Sequence, residues 1–173
     1  MQFRRRSLLL TAALGAGSTL LAACGNDDDD DHEDRNIVQV AQSLPDFSIL
    51  VEAVVAADLA TTLSGPGPFT VFAPTNAAFA ALLTELGVTK AALLADKPLL
   101  TAVLTYHVVS GRVLRAQVPV GTPITTVQGG SFTVGSDLVI TDQRGRRSAI
   151  TATDVMASNG VIHVIDKVLL PAV

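Results

Sequence analysis

Apolar residues recur at three- and four-residue spacing through the first half of the chain, and this pattern predicts short amphipathic helices. One stripe carries Phe47, Leu50 and Val54 and continues to Leu59. Residues that cap or stop helices divide the pattern into segments. The predicted helices are Asn36–Ser43, one capped by Asp46, one capped by Thr75 and stopped by Gly87, Thr89–Ala95, and one capped by Asp96 that leads to Tyr106.

The second half of the chain shows short runs of β-branched residues separated by glycine-containing turns, and this predicts strands. The predicted strands are Thr122–Val127, Ser131–Val134, Leu138–Asp142, Ala149–Thr153 and a closing strand, Asn159–Pro171. Asn159-Gly160 indicates a hairpin turn at the start of the closing strand. Helices grouped before strands favour the α+β class.

A buried strand, Phe69–Ala73, connects the two halves and turns directly into a helix. Pro74 has no backbone N–H and favours an extended residue before it, so it should end the strand. Thr75 then occupies the N-cap position, where its hydroxyl can accept a free N–H of the first helical turn. This direct connection from strand to helix should hold the sheet rigidly against the helical layer.

Three segments together resemble the fasciclin-like (FAS1) domain family. They are Phe69-Thr-Val-Phe-Ala-Pro-Thr-Asn-Ala-Ala-Phe79, Tyr106-His107, and Asn159-Gly-Val-Ile-His-Val-Ile-Asp-Lys-Val-Leu-Leu-Pro171, in the family's order. The resemblance implies a single α+β domain over residues 36–173, built as a two-sheet β wedge with a layer of short helices. It also implies a role in adhesion. The family associates the Tyr-His pair with integrin contact in animal members, a partner that we do not carry over to this chain.

The first 23 residues have the layout of a secretory signal peptide: Arg4-Arg5-Arg6 precede an uncharged apolar run of 16 residues, Leu8 to Ala23. This run is short for a membrane span, which needs about 20 apolar residues. The adjacent arginines fit either a twin-arginine signal or an ordinary Sec signal. Leu21-Ala22-Ala23-Cys24 resembles the bacterial lipobox, which implies that Cys24 becomes the lipidated first residue of the mature protein. Cys24 is the only cysteine, so an intramolecular disulfide is excluded.

Residues 24–35 are expected to form an acidic tether, because seven of the ten residues Asn26–Arg35 are acidic and a block of like charge stays extended. Weak cation binding by this block with His32 is a less favoured alternative. Residues 36–173 keep eight basic and nine acidic residues. A nearly neutral domain lacks the basic surface that nucleic acid requires, so no nucleic-acid partner is predicted.

Candidate chemistry is sparse: the sequence contains no G-x-S-x-G, H-E-x-x-H, C-x-x-C or glycine-rich phosphate motif, and it predicts neither a catalytic site, a metal site nor a cofactor. His163 and Asp166 invite a catalytic interpretation. However, residues three apart on a strand point to opposite faces, so a role in hydrogen-bonding neighbouring loops is favoured. Asn76 either bonds backbone near Thr75 or lines a ligand cleft. The hypothesis is that six residues form the polar skeleton of the fold: Thr75, Asn76, Tyr106, His107, His163 and Asp166.

The favoured function is that of a non-catalytic interaction module for adhesion, held at the extracytoplasmic membrane surface by the lipid on Cys24. Its partner would be an envelope or extracellular protein, a glycan, or another copy of the domain. The alternative is a small-molecule binder or enzyme that uses a pocket between the helical layer and the sheets. Gly25 follows Cys24, which is compatible with an outer-membrane location without requiring it.

Overall fold

The computed structural model describes residues 34–172, which form six α-helices and seven strands. The helices are α1 (Ile37–Ser43), α2 (Ser48–Ala56), α3 (Ala60–Leu63), α4 (Asn76–Leu86), α5 (Lys90–Ala95) and α6 (Lys97–Tyr106). The strands are β1 (Phe69–Pro74), β2 (Val108–Ser110), β3 (Pro123–Thr125), β4 (Ser131–Val134), β5 (Val139–Thr141), β6 (Arg147–Ala157) and β7 (Gly160–Ile165). Single 3₁₀ turns lie at Pro45–Phe47 and Arg115–Gln117.

The strands follow the order β2-β1-β7-β6-β5-β4-β3, and β1 and β7 form the one parallel pair among these seven strands. The long strand β6 belongs to both halves of this arrangement. Its first residues, Arg147–Ala149, pair with β5, and Ile150–Ala157 pair with β7. The register shifts twice between Ile150 and Val155, and a shift of this kind bends a strand. The α+β class with two sheets and a helical layer is therefore confirmed, with the two sheets continuous through β6.

The two faces of the central β1–β7 pair pack against different cores. Val71 and Ala73 of β1 contact the helices, whereas Phe72 points into the space between the two sheets. This alternation follows from the two-residue period of a strand. Phe72 meets Phe132 edge to face, with ring centroids 5.0 Å apart, and Tyr106 also packs edge to face against Phe132. The parallel pair thus separates a core shared with the helices from a second core that holds the rings of Phe72, Tyr106 and Phe132.

Most of the predicted helix boundaries are confirmed. Thr75 caps α4 by accepting the Ala78 N–H at 3.3 Å, and Asp96 caps α6 by accepting the Leu99 N–H at 3.2 Å. Gly87 ends α4 in the left-handed conformation, at φ 65°.

The predicted cap at Asp46 is wrong. Asp46 lies in the 3₁₀ turn Pro45–Phe47, and the first turn of α2 has no cap from the residue before it. Instead the Ile49 N–H is bound by Asn76, which comes from the start of α4. The predicted stripe also extends too far, because α2 ends at Ala56.

Strand lengths differ more from the sequence expectation. β1 runs one residue further than predicted, through Pro74, and β6 has 11 residues. The closing strand ends at Ile165 rather than at the predicted Pro171, and β2 was not predicted as a strand. Within residues 34–172 no single helix is long and apolar enough to cross a membrane; Ile37–Ser43 and Pro45–Ala56 reach that length only together, across a bend of 112°.

Candidate functional site

Tyr106 ends α6 and places its phenol between the two sheets. The hydroxyl donates to the Ser131 carbonyl at 2.7 Å and accepts the Gln143 N–H at 3.3 Å. Burial raises the pKa of the Tyr106 phenol above its ordinary value; the Gln143 N–H opposes this rise and the nearby charge of Asp142 adds to it. The phenol is therefore a fixed, neutral link between α6, β4 and the loop after β5.

His107 follows Tyr106 and is only 2% exposed. Its Nδ1 lies 2.6 Å from the Val103 carbonyl, and its Nε2 lies 2.9 Å from the Leu169 N–H. A carbonyl can only accept and an N–H can only donate, so Nδ1 carries the proton and Nε2 is the acceptor. Burial lowers the pKa of His107 to about 4, although the Val103 carbonyl and the charge of Asp142 work in the opposite direction. Both ring nitrogens are thus occupied in a neutral imidazole.

Asp142 is a buried carboxylate that holds three separate backbone groups. Its Oδ1 accepts the N–H groups of Arg144 and Arg146, both at 2.9 Å, and its Oδ2 accepts the Leu170 N–H at 3.0 Å. These bonds fix the β5–β6 turn to the segment that follows β7. Asp142 therefore organises the corner that also contains Tyr106 and His107.

His163 lies in β7 beside Phe72, with ring centroids 5.3 Å apart, and is completely buried. Its Nδ1 accepts the Asp154 N–H at 3.3 Å, so its Nε2 is the donor to the Val113 carbonyl at 2.8 Å. Asp154 has φ 57° and lies where the register of β6 shifts. His163 thus links the irregular part of β6 to the loop that follows β2.

The remaining candidate residues bind other segments. Asn76 donates to the Pro45 carbonyl and to Ser48 Oγ, both at 3.0 Å, and accepts the Ile49 N–H at 3.0 Å. Asn76 therefore bonds backbone groups, but these groups belong to Pro45 and Ile49 rather than to the turn at Thr75. Asp166 is exposed rather than buried, and its Oδ1 accepts the Ala149 N–H at 2.8 Å.

The six candidate residues do not converge on one cleft. Tyr106 and His107 share the Asp142 corner. Thr75 caps α4, and each of the other three candidates ties down a different connection: His163, Asn76 and Asp166. Among residues 34–172, no group of three or more His, Cys, Asp or Glu side chains is placed to hold a metal ion.

One small cavity lies between the helical layer and the sheet. It measures about 30 Å³, and its lining is apolar apart from the edge of His107. That space is close to the volume of a single water molecule and well below the roughly 300–1,000 Å³ of sites that bind small molecules. The cavity gives little support to a ligand site at this position.

The family pattern described as "Fasciclin domain" matches residues 45–171. The chain belongs to the fasciclin (FAS1) family. Protein sll1483 of Synechocystis sp. is 47% identical over 138 residues, covering 78% of this chain and 73% of the relative. The immunogenic protein MPB70 of Mycobacterium bovis is 36% identical, covering 78% and 68%. Human periostin is 34% identical, and the match covers 73% of this chain but 15% of periostin.

The fold is also that of a solved FAS1 domain pair from the insect cell adhesion molecule fasciclin I. The TM-score is 0.70 at 18% identity, and the match covers 79% of this chain and 51% of that one. At this identity the likeness establishes the fold of the FAS1 domain alone.

Sequence reasoning missed two of the best-connected polar residues in this FAS1 domain. Asn159, interpreted only as part of a hairpin turn, accepts the Ile37 N–H at 2.9 Å and donates to the carbonyls of Leu63 at 2.7 Å and Gly65 at 2.9 Å. Asp142 was counted only as the end of a strand. Its position three residues before Gly145 is a signal for a turn that starts at an aspartate.

Proposed function

We propose that this chain is a non-catalytic FAS1 interaction module, held by a lipid on Cys24 at the extracytoplasmic surface of a bacterial membrane. The observation that carries the proposal is the state of its two buried histidines. Each keeps both ring nitrogens in hydrogen bonds to backbone groups, so neither has a nitrogen available as a general base. A role in adhesion agrees with the shared fold of insect fasciclin I, which is a cell adhesion molecule.

The proposed anchor rests on the lipobox at Leu21–Cys24, which lies outside the described residues. The acidic segment before residue 36 would act as the tether. A chain of about ten residues reaches roughly 15–20 Å as a random coil, so the domain would stay close to the membrane. Contact with another envelope protein or a glycan suits this geometry, and self-association of the domain is a further alternative.

Anchoring is tested by replacing the proposed lipid-bearing sulfur. Cys24→Ser should move the protein from the membrane fraction to the soluble fraction and remove the acyl mass from its N-terminal peptide. Thr19→Ser is the matched control, because it leaves the cysteine in place and should stay in the membrane. Retention of Cys24→Ser in the membrane without acylation would refute the lipid anchor.

The interaction itself is tested by crosslinking the tagged protein in cells and identifying its partners by mass spectrometry. A recurrent partner that disappears with Cys24→Ser supports a module that works at the membrane. A chain that shows no partner above background, and that carries a small molecule through native mass spectrometry, would instead favour the ligand-binding alternative.

A further inference from the structure

Three helices and the segment after β7 enclose an apolar groove that none of the six polar candidate residues lines. It has a volume of about 170 Å³. We call it the α4–α6 groove, and the residues that define it here are Leu82, Leu86, Leu93, Leu99, Leu170 and Arg144. Five leucines and one arginine give it an apolar floor with a single positive group.

The edge of the groove is exposed apolar surface. Leu86 is 40% exposed, and Val88, two residues further along, is 39% exposed. Contiguous exposed apolar surface next to a groove is typical of protein contact sites, whereas single exposed apolar residues are ordinary. Leu86 lines the groove itself, so its exposed part is apolar surface next to the groove.

Arg144 supplies the positive charge in a fixed position. Its Nε donates to the Pro171 carbonyl at 3.0 Å, and its backbone N–H is held by Asp142. Its neighbours in the loop are neutralised, since Arg146 pairs with Glu85 and Arg147 with Asp137. Arg144 takes part in none of the ion pairs found within residues 34–172. A held guanidinium of this kind favours a carboxylate as its partner.

The groove lies at the opposite end of the domain from the tether. The chain enters beside the start of β7, where the Arg35 carbonyl accepts the Ser158 N–H at 2.8 Å. The groove is built from α4, which follows the end of β1, and from Leu170, which follows the end of β7. These parallel strands span roughly 17–20 Å, since a strand rises about 3.3 Å per residue. The groove and the point where the tether joins the domain therefore lie at opposite ends of the β1–β7 pair.

We infer that the α4–α6 groove is the docking site for a partner protein segment that inserts an aliphatic side chain between the leucines and sets an adjacent carboxylate on Arg144. The inference deepens the proposed function and rests on it. The volume suits one or two side chains and is below that of ordinary small-molecule sites. Its position away from the tether argues against a lipid headgroup as the occupant. The positive charge of Arg144 is the reason for expecting a carboxylate on the partner segment.

The probe is N-acetyl-leucine, which combines an aliphatic side chain with a carboxylate. N-acetyl-leucinamide is the matched control, because it has the same side chain without the charge. Each is titrated into the exported chain carrying Cys24→Ser, with leucine and valine methyl groups labelled for NMR. We expect shifts centred on Leu82, Leu86 and Leu170, with a dissociation constant of roughly 1–10 mM for so small a ligand.

The charge contact predicts a loss of affinity of at least about fivefold for the amide, and a similar loss for the acid with Arg144→Gln. Arg147→Gln, in the same loop but paired with Asp137, should bind the acid as the parent does. Three results would overturn the inference: equal binding of acid and amide, shifts outside the groove, or methyl shifts that depend on protein concentration alone. The last result would indicate that a second copy of the chain occupies the groove.

The two proposals fail separately. If N-acetyl-leucine does not bind while Leu86→Asp leaves the crosslinked partner in place, the groove is not the docking site, but the interaction module stands. If the probe binds with the expected preference and cells yield no partner, the groove recognises the stated chemistry and the proposed function is wrong.

Discussion

The low pKa of His107 predicts that this domain loses stability as the pH falls from 6.5 towards 4. In the folded state the neutral imidazole is required, because Nε2 accepts the Leu169 N–H and a proton there would face another donor. The folded pKa is about 4, against an ordinary value of 6.5. Below pH 6.5 the unfolded chain therefore binds a proton at His107 that the folded chain does not bind. The free energy of unfolding falls for this reason as the pH drops from 6.5 towards 4.

The magnitude follows from the size of the shift. A pKa difference of this size corresponds to about 3 kcal/mol of unfolding free energy once the pH is below the folded value. Between pH 7 and pH 5 the expected loss is about 2 kcal/mol. Asp142 is the charged group that acts most on His107, and its attraction for an imidazolium is already included in the lowered value.

The assay is urea unfolding followed by circular dichroism at pH 7, 6 and 5, with the parent chain and His107→Gln compared at each pH. Glutamine does not titrate, and all other ionisable groups are shared by the two proteins. The stability difference between the parent and the variant should therefore shrink by about 2 kcal/mol from pH 7 to pH 5. A constant difference would refute the reasoning. If the variant does not fold, NMR titration of the His107 ring in the parent should give a midpoint near 4 rather than 6.5.

Four further substitutions, at three positions, test the hydrogen bonds and close contacts by urea unfolding. Asp142→Ala leaves three backbone N–H groups without an acceptor and should lower the free energy of unfolding by about 3 kcal/mol. Asp142→Asn keeps one acceptor oxygen and should cost about half as much. Equal losses for the two variants would contradict this. Asn159→Ala should cost about 2 kcal/mol and speed hydrogen exchange at the Ile37 amide, and unchanged exchange would contradict its capping role. Gly160→Ala should cost at least about 3 kcal/mol because the new Cβ would overlap the Phe69 carbonyl oxygen, and a loss below about 1 kcal/mol would show that the backbones separate easily.

Local signals in the sequence predicted most of this architecture. Thr75, Gly87 and Asp96 bound their helices because capping depends on residues within one turn of the chain. The cap of α2 was predicted at Asp46 but comes from Asn76, across 27 positions in the chain. A cap supplied by a distant segment leaves no signal in the helix that it caps.

The candidate residues show the same difference between local sequence signals and contacts with distant segments. Sequence reasoning identified Tyr106, His107 and His163 through the family motifs, but their hydrogen-bond partners lie between 4 and 62 positions away in the chain. Asp142 comes close to Tyr106 and His107 only after β5 and the segment past β7 have packed together. The length of β6 was also underestimated, since its polar residues resemble a turn and its pairing depends on both neighbouring strands.

Two separate hydrogen-bond networks lie at opposite ends of the β1–β7 pair, one around Asn159 and one around Asp142. Asn159 binds the first turn of α1, so it fixes the point at which the chain enters the domain. Asp142 fixes the loop that positions Arg144 beside the groove. These two networks share no residue, and changes more than about 10 Å apart with no shared partner usually act independently. Asn159→Ala should therefore lower stability without weakening N-acetyl-leucine binding, whereas Asp142→Ala, which removes the acceptor of the Arg144 N–H, should weaken binding by releasing Arg144. Equal binding by the parent and Asp142→Ala would show that Arg144 finds its position without Asp142.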